Sequence, residues 1–451
     1  MARPRLLVVG MDGHHAPTLA EICRARGVTL TRLFDVAEVR RTATYDVDAL
    51  LDRAERAYTA AEKVAGIACY WDMPSSYLAA TLAERHGLAT PGVQAVTTVE
   101  HKYWSRCVQQ EVVPEVTPAF ALVDPRQPDA ADHVDLAFPF WLKPVKSASG
   151  HLAIRIEDRE QLEQAIRRLR QGTSQLGPAF QRIVDRLTLP TSIANAPASA
   201  AIAEELLVGD QVTLEGYALD GEVVVYGCFD IHREANGCTF ASYTYPSQLS
   251  SMVRARMEQA ARTLMSKLRW DHGAFNIEFF HDPATGSIRL LEVNPRISQE
   301  HAHLMRWVDG VSNLELMVDL ALGRQPSLHH PRHRDRFPVA AKFFLRAYED
   351  GVVGGVPSFE VVDAIERDHD PCRIVLLVGE GDRLAHLRCQ EPYSYAVAYV
   401  YLAGSDHADL ERRYESVVHA LGLRILPVDT STGGRPRTID ATRRATLELL
   451  P

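Results

Sequence analysis

Short apolar runs alternate with amphipathic stretches in the first part of the chain. Residues 5–9 and 28–34 form two apolar runs, separated by a Gly-containing turn and a helical pattern at 18–26. Residues 67–70 and 75–86 repeat the strand-then-helix order. This alternation is typical of a parallel sheet with helices on its faces. The turn after the first run lacks Gly-x-Gly-x-x-Gly, so a dinucleotide site is poorly supported there.

The middle of the chain predicts a mixture of helices and strands. The predicted elements are, in order, a helix from 98 to about 111, a strand at 138–144, a small-residue turn at 147–150, a helix at 158–171, strands at 201–207 and 211–219, and a helix at 249–268. Residues 172–200, rich in Ser, Ala and Pro, are poorly patterned and predict a mobile loop or insertion. The pair Asp220-Gly221 predicts a hairpin turn into the next strand.

The last part of the chain predicts a small α+β domain. β-rich segments at 340–347 and 396–402 precede a helical pattern at 407–421. A basic, His-rich segment at 329–334 comes before them. We interpret it as a solvated linker, with metal binding by its histidines as the alternative.

The most specific pattern is the run Leu-Leu-Glu-Val-Asn-Pro-Arg at 290–296. Because successive side chains of a strand point to opposite faces, Glu292, Asn294 and Arg296 are expected on one face. A second carboxylate, Glu278, lies in a preceding strand pattern that a Pro- and Gly-containing turn separates from this run. Two neighbouring antiparallel strands are therefore predicted.

Glu278, Glu292 and Asn294 carry hard oxygen ligands of the kind that suit Mg²⁺. Arg296 beside them is suited to hold a phosphate or a carboxylate through two hydrogen bonds. The alternative is an amphipathic strand pair whose polar face is merely solvated.

Composition excludes several classes of protein. With 451 residues, the chain is expected to contain two to four domains. Its hydrophobic content of 46%, charged content of 24% and net charge of -9 describe a globular protein and argue against a nucleic-acid binder. The seven cysteines form no Cys-x-x-Cys pair, and the first apolar run is too short for a signal peptide or a membrane span. A cytoplasmic protein is expected.

The Glu278 strand and the motif from Glu292 to Arg296 resemble the metal-binding end of the ATP-grasp superfamily, whose last motif reads Glu-x-Asn-Pro-Arg. The resemblance covers about residues 97–325. It implies a multidomain fold of class α/β plus α+β. The implied parts are an N-terminal parallel-sheet (pre-ATP-grasp) domain at 1–97, an ATP-grasp domain at 98–330 with a mobile lid at about 137–207, and a C-terminal α+β domain at 331–451.

The resemblance also implies roles for individual residues, with ATP and Mg²⁺ as cofactors and Mn²⁺ as an expected substitute. The implied nucleotide-binding residues are Lys102 and Lys143 on the phosphates, Ser147, Ser149 and Gly150 in the phosphate loop, Glu204, Glu205 and Leu207 around adenine, and Gln211 near the ribose. The phosphate loop has one glycine, fewer than is usual in the family. Gln211 stands where the family usually has Glu, which leaves the nucleotide preference open.

The implied function is that of an ADP-forming carboxylate–amine ligase, which makes an amide or peptide bond through an acyl phosphate. Its substrates would be small molecules, an amino acid or related acid and an amine. Glu215 resembles a Val-Glu-Gly-like stretch of the amino-acid ligase branch, with a solvent-facing strand residue as the alternative. Homodimers are frequent among such relatives. The identity of the acid and the amine stays open.

After Arg296 the sequence departs from many amino-acid ligases. Its Glu300-His301 pair is similar to the continuation of biotin carboxylases, which implies for Glu300 a catalytic base or an ammonium-binding carboxylate. The alternative is that both residues cap and charge the first turn of the following helix, where the helix dipole favours acids. A biotin-carboxylase-like carboxyphosphate enzyme is therefore the second hypothesis, although the chain lacks a Met-Lys-Met motif. A non-catalytic nucleotide-binding regulator is the third, and the intact metal motif argues against it.

Overall fold

The computed structural model describes residues 3–40, 45–147, 152–171, 176–328, 337–387, 390, 394–428 and 437–438. The chain forms two compact units. The first contains Met1–Gly227, Leu249–Gln299 and Asn313–Pro326, and the second contains Cys228–Gln248, Glu300–Ser312 and Ser327–Pro451. The three-domain division at 97/98 and 330/331 stays a prediction. Among the described residues, no helix has the length and apolar composition that a membrane span requires.

The first unit begins with a parallel sheet, as the alternating pattern predicted. Its elements are β1 (Arg5–Met11), α1 (Ala16–Ala25), β2 (Thr29–Asp35), α2 (Val36–Arg40), α3 (Val47–Ala60), β3 (Val64–Cys69) and α4 (Ser75–Arg85). The strand order is β2-β1-β3, with both pairings parallel. Residues 6–9 of the central strand are almost completely buried, because helices cover both faces of such a sheet.

Two helices follow where the pattern predicted one: α5 (Val93–Glu100) and α6 (Lys102–Val112). His101 separates them with extended dihedral angles, φ -91° and ψ 96°. Its buried ring accepts a hydrogen bond from the backbone N–H of Trp104 at 3.1 Å, so it acts as the N-cap of α6. The prediction of one continuous helix was wrong because the sequence pattern does not reveal a histidine cap.

A second sheet contains β4 (Phe120–Val123), β5 (Phe140–Pro144), β6 (Ile154–Ile156) and β7 (Ala201–Glu205), in the order β4-β7-β5-β6. Between β6 and β7 lie α7 (Arg159–Gln171), α8 (Gly177–Val184) and α9 (Thr191–Ala194). The prediction of a loop was therefore wrong for the α8 and α9 residues, and that of an insertion stays a prediction. Phe180, Ile183 and Val184 of α8 are buried in the core of the N-terminal sheet and helices, and this tertiary packing stabilises a helix of weak pattern.

The chain then forms β8 (Asp210–Leu219), β9 (Glu222–Arg233), β10 (Phe240–Tyr245), α10 (Ser251–Lys267), β11 (Gly273–Asp282), β12 (Ser287–Asn294), α11 (Ala302–Val308) and α12 (Asn313–Ala321). In the first unit, β8, β11 and β12 are antiparallel neighbours in the order β12-β11-β8. The turn between β8 and β9 has positive φ at Asp220 (52°) and Gly221 (79°), as a tight hairpin requires.

The second unit is α+β, as predicted for the C-terminal part of the chain. It continues with β13 (Val339–Ala347), β14 (Gly351–Gly355), α13 (Phe359–Asp368), β15 (Cys372–Leu376), β16 (Tyr395–Gly404), α14 (His407–Leu421), β17 (Arg424–Pro427) and β18 (Arg437–Thr438). Strands β10, β13, β16 and β15 are antiparallel neighbours in that order. Helix α14 begins at an Asp406 cap and ends at Gly422, whose φ is 55°.

Candidate active site

The register of β11 and β12 brings the predicted metal ligands together. Glu278 lies directly opposite Glu292, and Asn276 lies opposite Asn294. Because directly opposite residues share a face of an antiparallel pair, the four polar side chains lie on one face. The Asn294 amide donates hydrogen bonds to Asn276 Oδ1 at 3.0 Å and to Glu278 Oε1 at 3.2 Å. The alternation in the sequence therefore corresponds to a hydrogen-bonded polar cluster.

This cluster has the chemistry of a magnesium site. Two carboxylates and an amide oxygen are hard donors, and Mg²⁺ is usually held by one or two carboxylates together with phosphates and water. Since the Asn294 NH₂ group points to Glu278 and Asn276, its carbonyl oxygen is directed away from them. About 39% of the Glu292 side chain is exposed, which leaves it accessible to a ligand. The residues present thus fit Mg²⁺.

A buried charge network lies beside the cluster. Lys102, the first residue of α6, places its Nζ 3.3 Å from Glu292 Oε2. Lys143 on β5 contacts Glu204 on β7, and the other carboxylate oxygen of Glu204 accepts from Arg106 Nε at 2.6 Å. Both predicted phosphate-binding lysines thus have carboxylate partners, as buried cations require.

The pKa shifts in this network follow from burial and from the neighbouring charges. Burial by itself would raise the pKa of Glu204, but the charges of Arg106 and Lys143 outweigh it and lower that pKa to about 2. Burial also opposes ionisation of Glu292, whose pKa is nevertheless lowered by Lys102 and Lys143. The pKa of Lys143 is lowered by burial and by the neighbouring charges of Lys102 and Arg106, against the effect of Glu204. Positive charges this close together create a local field that attracts anions.

Arg296 is held by a residue that the sequence reasoning missed. Its Nε donates to Asp72 Oδ1 at 2.7 Å and its NH2 donates to Asp72 Oδ2 at 2.8 Å. Burial would raise the pKa of Asp72, and the charge of Arg296 overcomes this and lowers it to about 2. Asp72 comes just after β3, at the carboxyl edge of the parallel sheet, where open α/β sheets bind ligands. This position after a predicted strand is the signal by which the sequence could have indicated Asp72 as a site residue.

The other predicted nucleotide-binding residues lie around β7 and β8. Glu205 faces away from Glu204, as alternation requires, and accepts from the backbone N–H of Ala119 at 3.0 Å. Leu207 is half-buried after β7. Gln211 is buried, and its amide donates a hydrogen bond to Glu278 Oε2 at 2.6 Å. It is therefore part of the polar cluster on β11 and β12. Its predicted contact with a ribose stays a prediction.

The phosphate loop is only partly described. Ser147 is buried at the end of β5, while Ser149 and Gly150 lie outside the described residues. Their predicted role at the phosphates stays a prediction.

Glu215 on β8 is completely buried, so its alternative as a solvent-facing residue was wrong. One carboxylate oxygen accepts from the backbone N–H of Ser298 at 2.9 Å, and the other from the Tyr226 hydroxyl at 2.6 Å. The Asn313 amide donates to the same carboxylate and to the Ser298 carbonyl. Glu215 therefore fixes the backbone just after Arg296.

Glu300 belongs to the second unit. Its carboxylate contacts the ammonium of Lys342, which is completely buried and lies 3.5 Å from the centre of the Tyr399 ring. His301 makes no capping hydrogen bond for α11, and its ring stacks on Phe229 at 3.8 Å. The capping alternative was wrong for His301, and the predicted catalytic role of Glu300 stays a prediction.

Comparisons with known proteins identify a domain in this chain. Residues 136–302 match the family model of the ATP-grasp domain. The chain is 25% identical over 181 residues to the vancomycin/teicoplanin A-type resistance protein VanA of Enterococcus faecium, an alignment that covers 40% of this chain and 47% of that protein. The matched segment thus spans about half the length of that relative.

Solved structures share the fold over nearly the whole chain. The L-amino acid ligase from Bacillus licheniformis superposes with a TM-score of 0.71 at 17% identity, covering 95% of this chain and 100% of that one. Biotin carboxylase from Campylobacter jejuni superposes with a TM-score of 0.64 at 14% identity, covering 94% and 92%. The predicted resemblance and fold class are confirmed. This chain carries an ATP-grasp domain at residues 136–302, within an ATP-grasp fold that extends over almost its full length.

Proposed function

We propose that the protein is an ADP-forming carboxylate–amine ligase that uses ATP and Mg²⁺ to join a small acid, such as an amino acid, to an amine. The observation that carries the proposal is the convergence of Glu278, Glu292 and Asn294 on one face of the β11–β12 pair, beside Lys102. Carboxylates for a divalent cation and lysines for phosphates are the parts that phosphoryl transfer requires.

Each residue has a role that its position supports. Mg²⁺ held by the two carboxylates and the amide would neutralise charge on the phosphates of ATP. Lys102 and Lys143 bind phosphate oxygens as point charges, in exchange for their carboxylate partners. Arg296 stabilises negative charge on the transferred phosphoryl group, with Asp72 holding its guanidinium in place.

The acyl phosphate explains how ATP hydrolysis is coupled to bond formation. The substrate carboxylate attacks the γ-phosphorus and ADP leaves, which forms a mixed anhydride. The amine then attacks the carbonyl carbon and loses a proton, and phosphate leaves with the electron pair of the broken C–O bond. Atoms balance as acid, amine and ATP giving amide, ADP and phosphate.

A carboxyphosphate enzyme is the second candidate. The observation in its favour is the contact of Glu300 with the buried Lys342, a carboxylate–ammonium pair immediately after the metal motif in the chain. In that reaction bicarbonate replaces the organic acid. The fold is shared with biotin carboxylase and with amino-acid ligase, so the fold does not decide between them.

One assay separates these reactions. Purified protein with ATP and Mg²⁺ is given amino acids and other small acids, singly and with amines, or bicarbonate, and ADP and phosphate are measured. We expect ADP release that needs an acid together with an amine. ADP release that depends on bicarbonate would favour the second candidate, and AMP with pyrophosphate would contradict both.

Three further proposals accompany the ligase. We expect Mn²⁺ to support the reaction in place of Mg²⁺, because both suit oxygen ligands. A homodimer is proposed because one structural neighbour, the biotin carboxylase domain of Hydrogenobacter thermophilus 2-oxoglutarate carboxylase, is described as a dimer. Light scattering during size-exclusion chromatography measures this. A cytoplasmic location stays a prediction.

A further inference from the structure

Asp72 is held in position on both sides along the chain. The indole of Trp71 donates to the carbonyl of Gly10 at 2.7 Å, which ties the end of β3 to the end of β1. The backbone N–H of Met73 donates to the buried Glu100 at 2.9 Å. Because the residues before and after it are fixed, the Asp72 carboxylate is presented in one place.

The two hydrogen bonds from Arg296 occupy about half of the acceptor positions of the Asp72 carboxylate. Its two oxygens accept two hydrogen bonds from Arg296, whereas an ionised carboxylate has about four acceptor positions. About 32% of the Asp72 side chain is exposed, against 17% of the Arg296 side chain. Within the part of the chain that the structure describes, only Arg296 donates to the Asp72 side chain, so acceptor positions of this partly exposed carboxylate remain.

The Asp72–Arg296 ion pair interacts electrostatically with the predicted metal ligands. The negative charge of Asp72 raises the pKa of Glu292, while Glu278 and Glu292 both act on Arg296. Asp72 thus contributes a carboxylate that lies near the metal carboxylates without being one of the predicted ligands. The acceptor positions of Asp72 that no described residue occupies can receive a cation other than Mg²⁺.

A carboxylate beside a guanidinium has charges that complement a zwitterion, which carries one positive and one negative group. An α-amino acid carries its ammonium and its carboxylate on a single carbon atom. If its carboxylate lies against Arg296, where it is to be phosphorylated, its ammonium reaches the neighbouring acceptor. A simple carboxylic acid would leave that acceptor without a partner.

We infer that Asp72 determines specificity by receiving the α-ammonium group of the acid substrate, which makes that substrate an α-amino acid. The inference rests on the proposed ligase function. It has a chemical consequence, because an amine kept protonated by a carboxylate is not a nucleophile. The amine that attacks the acyl phosphate is therefore supplied by a second molecule.

The test compares matched acids. For each amino acid that supports ADP release, its des-amino counterpart, with the same side chain and a CH₂ group at the α-position, is assayed with the same amine. In the wild type, kcat/KM should be about 100-fold or more higher for the amino acid, as for a site that loses a hydrogen-bond partner. In Asp72→Asn, kcat/KM should fall for both acids, because Asp72 also positions Arg296, but the fall should be about 30-fold or more larger for the amino acid than for the des-amino acid.

Two other variants complete the design. Asp72→Glu keeps the charge but moves the carboxylate, so discrimination should be partly retained and the fold preserved. Asp35→Asn is the matched control, because Asp35 ends β2 at the same edge of the sheet and pairs with Arg32 instead. It should behave as the wild type does.

The outcomes are distinguishable. An equal fall in kcat/KM for both acids in Asp72→Asn would mean that Asp72 only positions Arg296, and would overturn the inference while the ligase stands. Equal use of both acids by the wild type would overturn it as well. Absence of acid-dependent ADP release from the wild type would overturn the ligase itself, and the inference with it.

Discussion

Neighbouring charges determine whether the individual carboxylates of this site are ionised. Glu204 is buried, yet it stays ionised because Arg106 and Lys143 contact it. Glu292 is more exposed and has Lys102 beside it. Both carboxylates are thus negative at neutral pH. Glu204 holds Lys143, and Glu292 is the carboxylate that we propose as a ligand of Mg²⁺. The two roles predict different results on substitution.

Glu292→Gln should remove turnover and leave the fold intact. The amide keeps the shape of the side chain but loses the charge that attracts Mg²⁺, which is worth several kcal/mol in the transition state, or about 100-fold to 1000-fold in kcat. ADP release measures turnover, and circular dichroism measures the fold. Glu222→Gln, an exposed glutamate at the start of β9, is the control. A near-normal rate for Glu292→Gln would exclude Glu292 from the metal site.

Glu204→Gln should destabilise the protein in a pH-dependent manner. Removing one partner of a buried ion pair costs on the order of 3–5 kcal/mol. Since folding lowers the pKa of Glu204 from 4.5 to about 2, its contribution to the unfolding free energy is complete above pH 4.5 and is lost as pH falls towards 2. The difference between variant and wild type should therefore shrink over this range.

Urea unfolding at pH 7, 4 and 3 measures that difference. Glu157→Gln, which breaks the exposed pair with Arg155, should change the unfolding free energy by less than about 1 kcal/mol. A variant of Glu204 whose deficit is the same at pH 7 and pH 3 would contradict the assigned ion pair.

At the scale of elements, the connection between β7 and β8 depends on a close backbone approach. Gly209 has a φ of 104°, and a Cβ atom there would lie 2.3 Å from the carbonyl oxygen of His281 on β11. No side chain fits at that distance, so glycine lets the connection pass against β11. The same connection joins the predicted adenine-binding strand to the strand that carries Gln211.

Gly209→Ala should therefore destabilise the protein much more than Gly286→Ala. Gly286 also has a positive φ, of 68°, but there is open space around it, so the alanine variant should lose only the backbone term of about 1–2 kcal/mol. Gly209 adds a clash with backbone that must move. Thermal unfolding of both variants measures the difference. Equal losses would show that the backbone at 209 shifts without cost.

The elements also show where sequence patterns succeed. The turn at Asp220-Gly221, the helix α14 and the pair β11–β12 were predicted because local signals specify them: left-handed turn residues, a helical period between caps, and alternation. The break at His101 and the helix α8 were missed, since a buried histidine cap and packing against another part of the core leave no local pattern.

At the scale of the whole molecule, binding of MgATP should stabilise the folded protein. A ligand that binds only the folded protein stabilises it by about 2.7 kcal/mol at a concentration 100 times its Kd. MgATP should therefore raise the melting temperature. EDTA should reduce this increase, because without Mg²⁺ the carboxylates of Glu278 and Glu292 repel a triphosphate. Differential scanning fluorimetry measures this, with Glu292→Gln as the variant expected to respond less. Absence of any response to MgATP would contradict the nucleotide site.

The sequence by itself determined the parallel N-terminal sheet, the α+β character of the last part of the chain, and the polar face of β12. These follow from side-chain periodicity and turn residues, which act between near neighbours in the chain. Only the tertiary structure decided that Asp72 holds Arg296 across 224 positions of sequence, that Glu204 is bound by two cations, and that Gln211 joins Glu278. Ion pairs between distant segments depend on how the elements pack, and no local pattern encodes which carboxylate meets which cation.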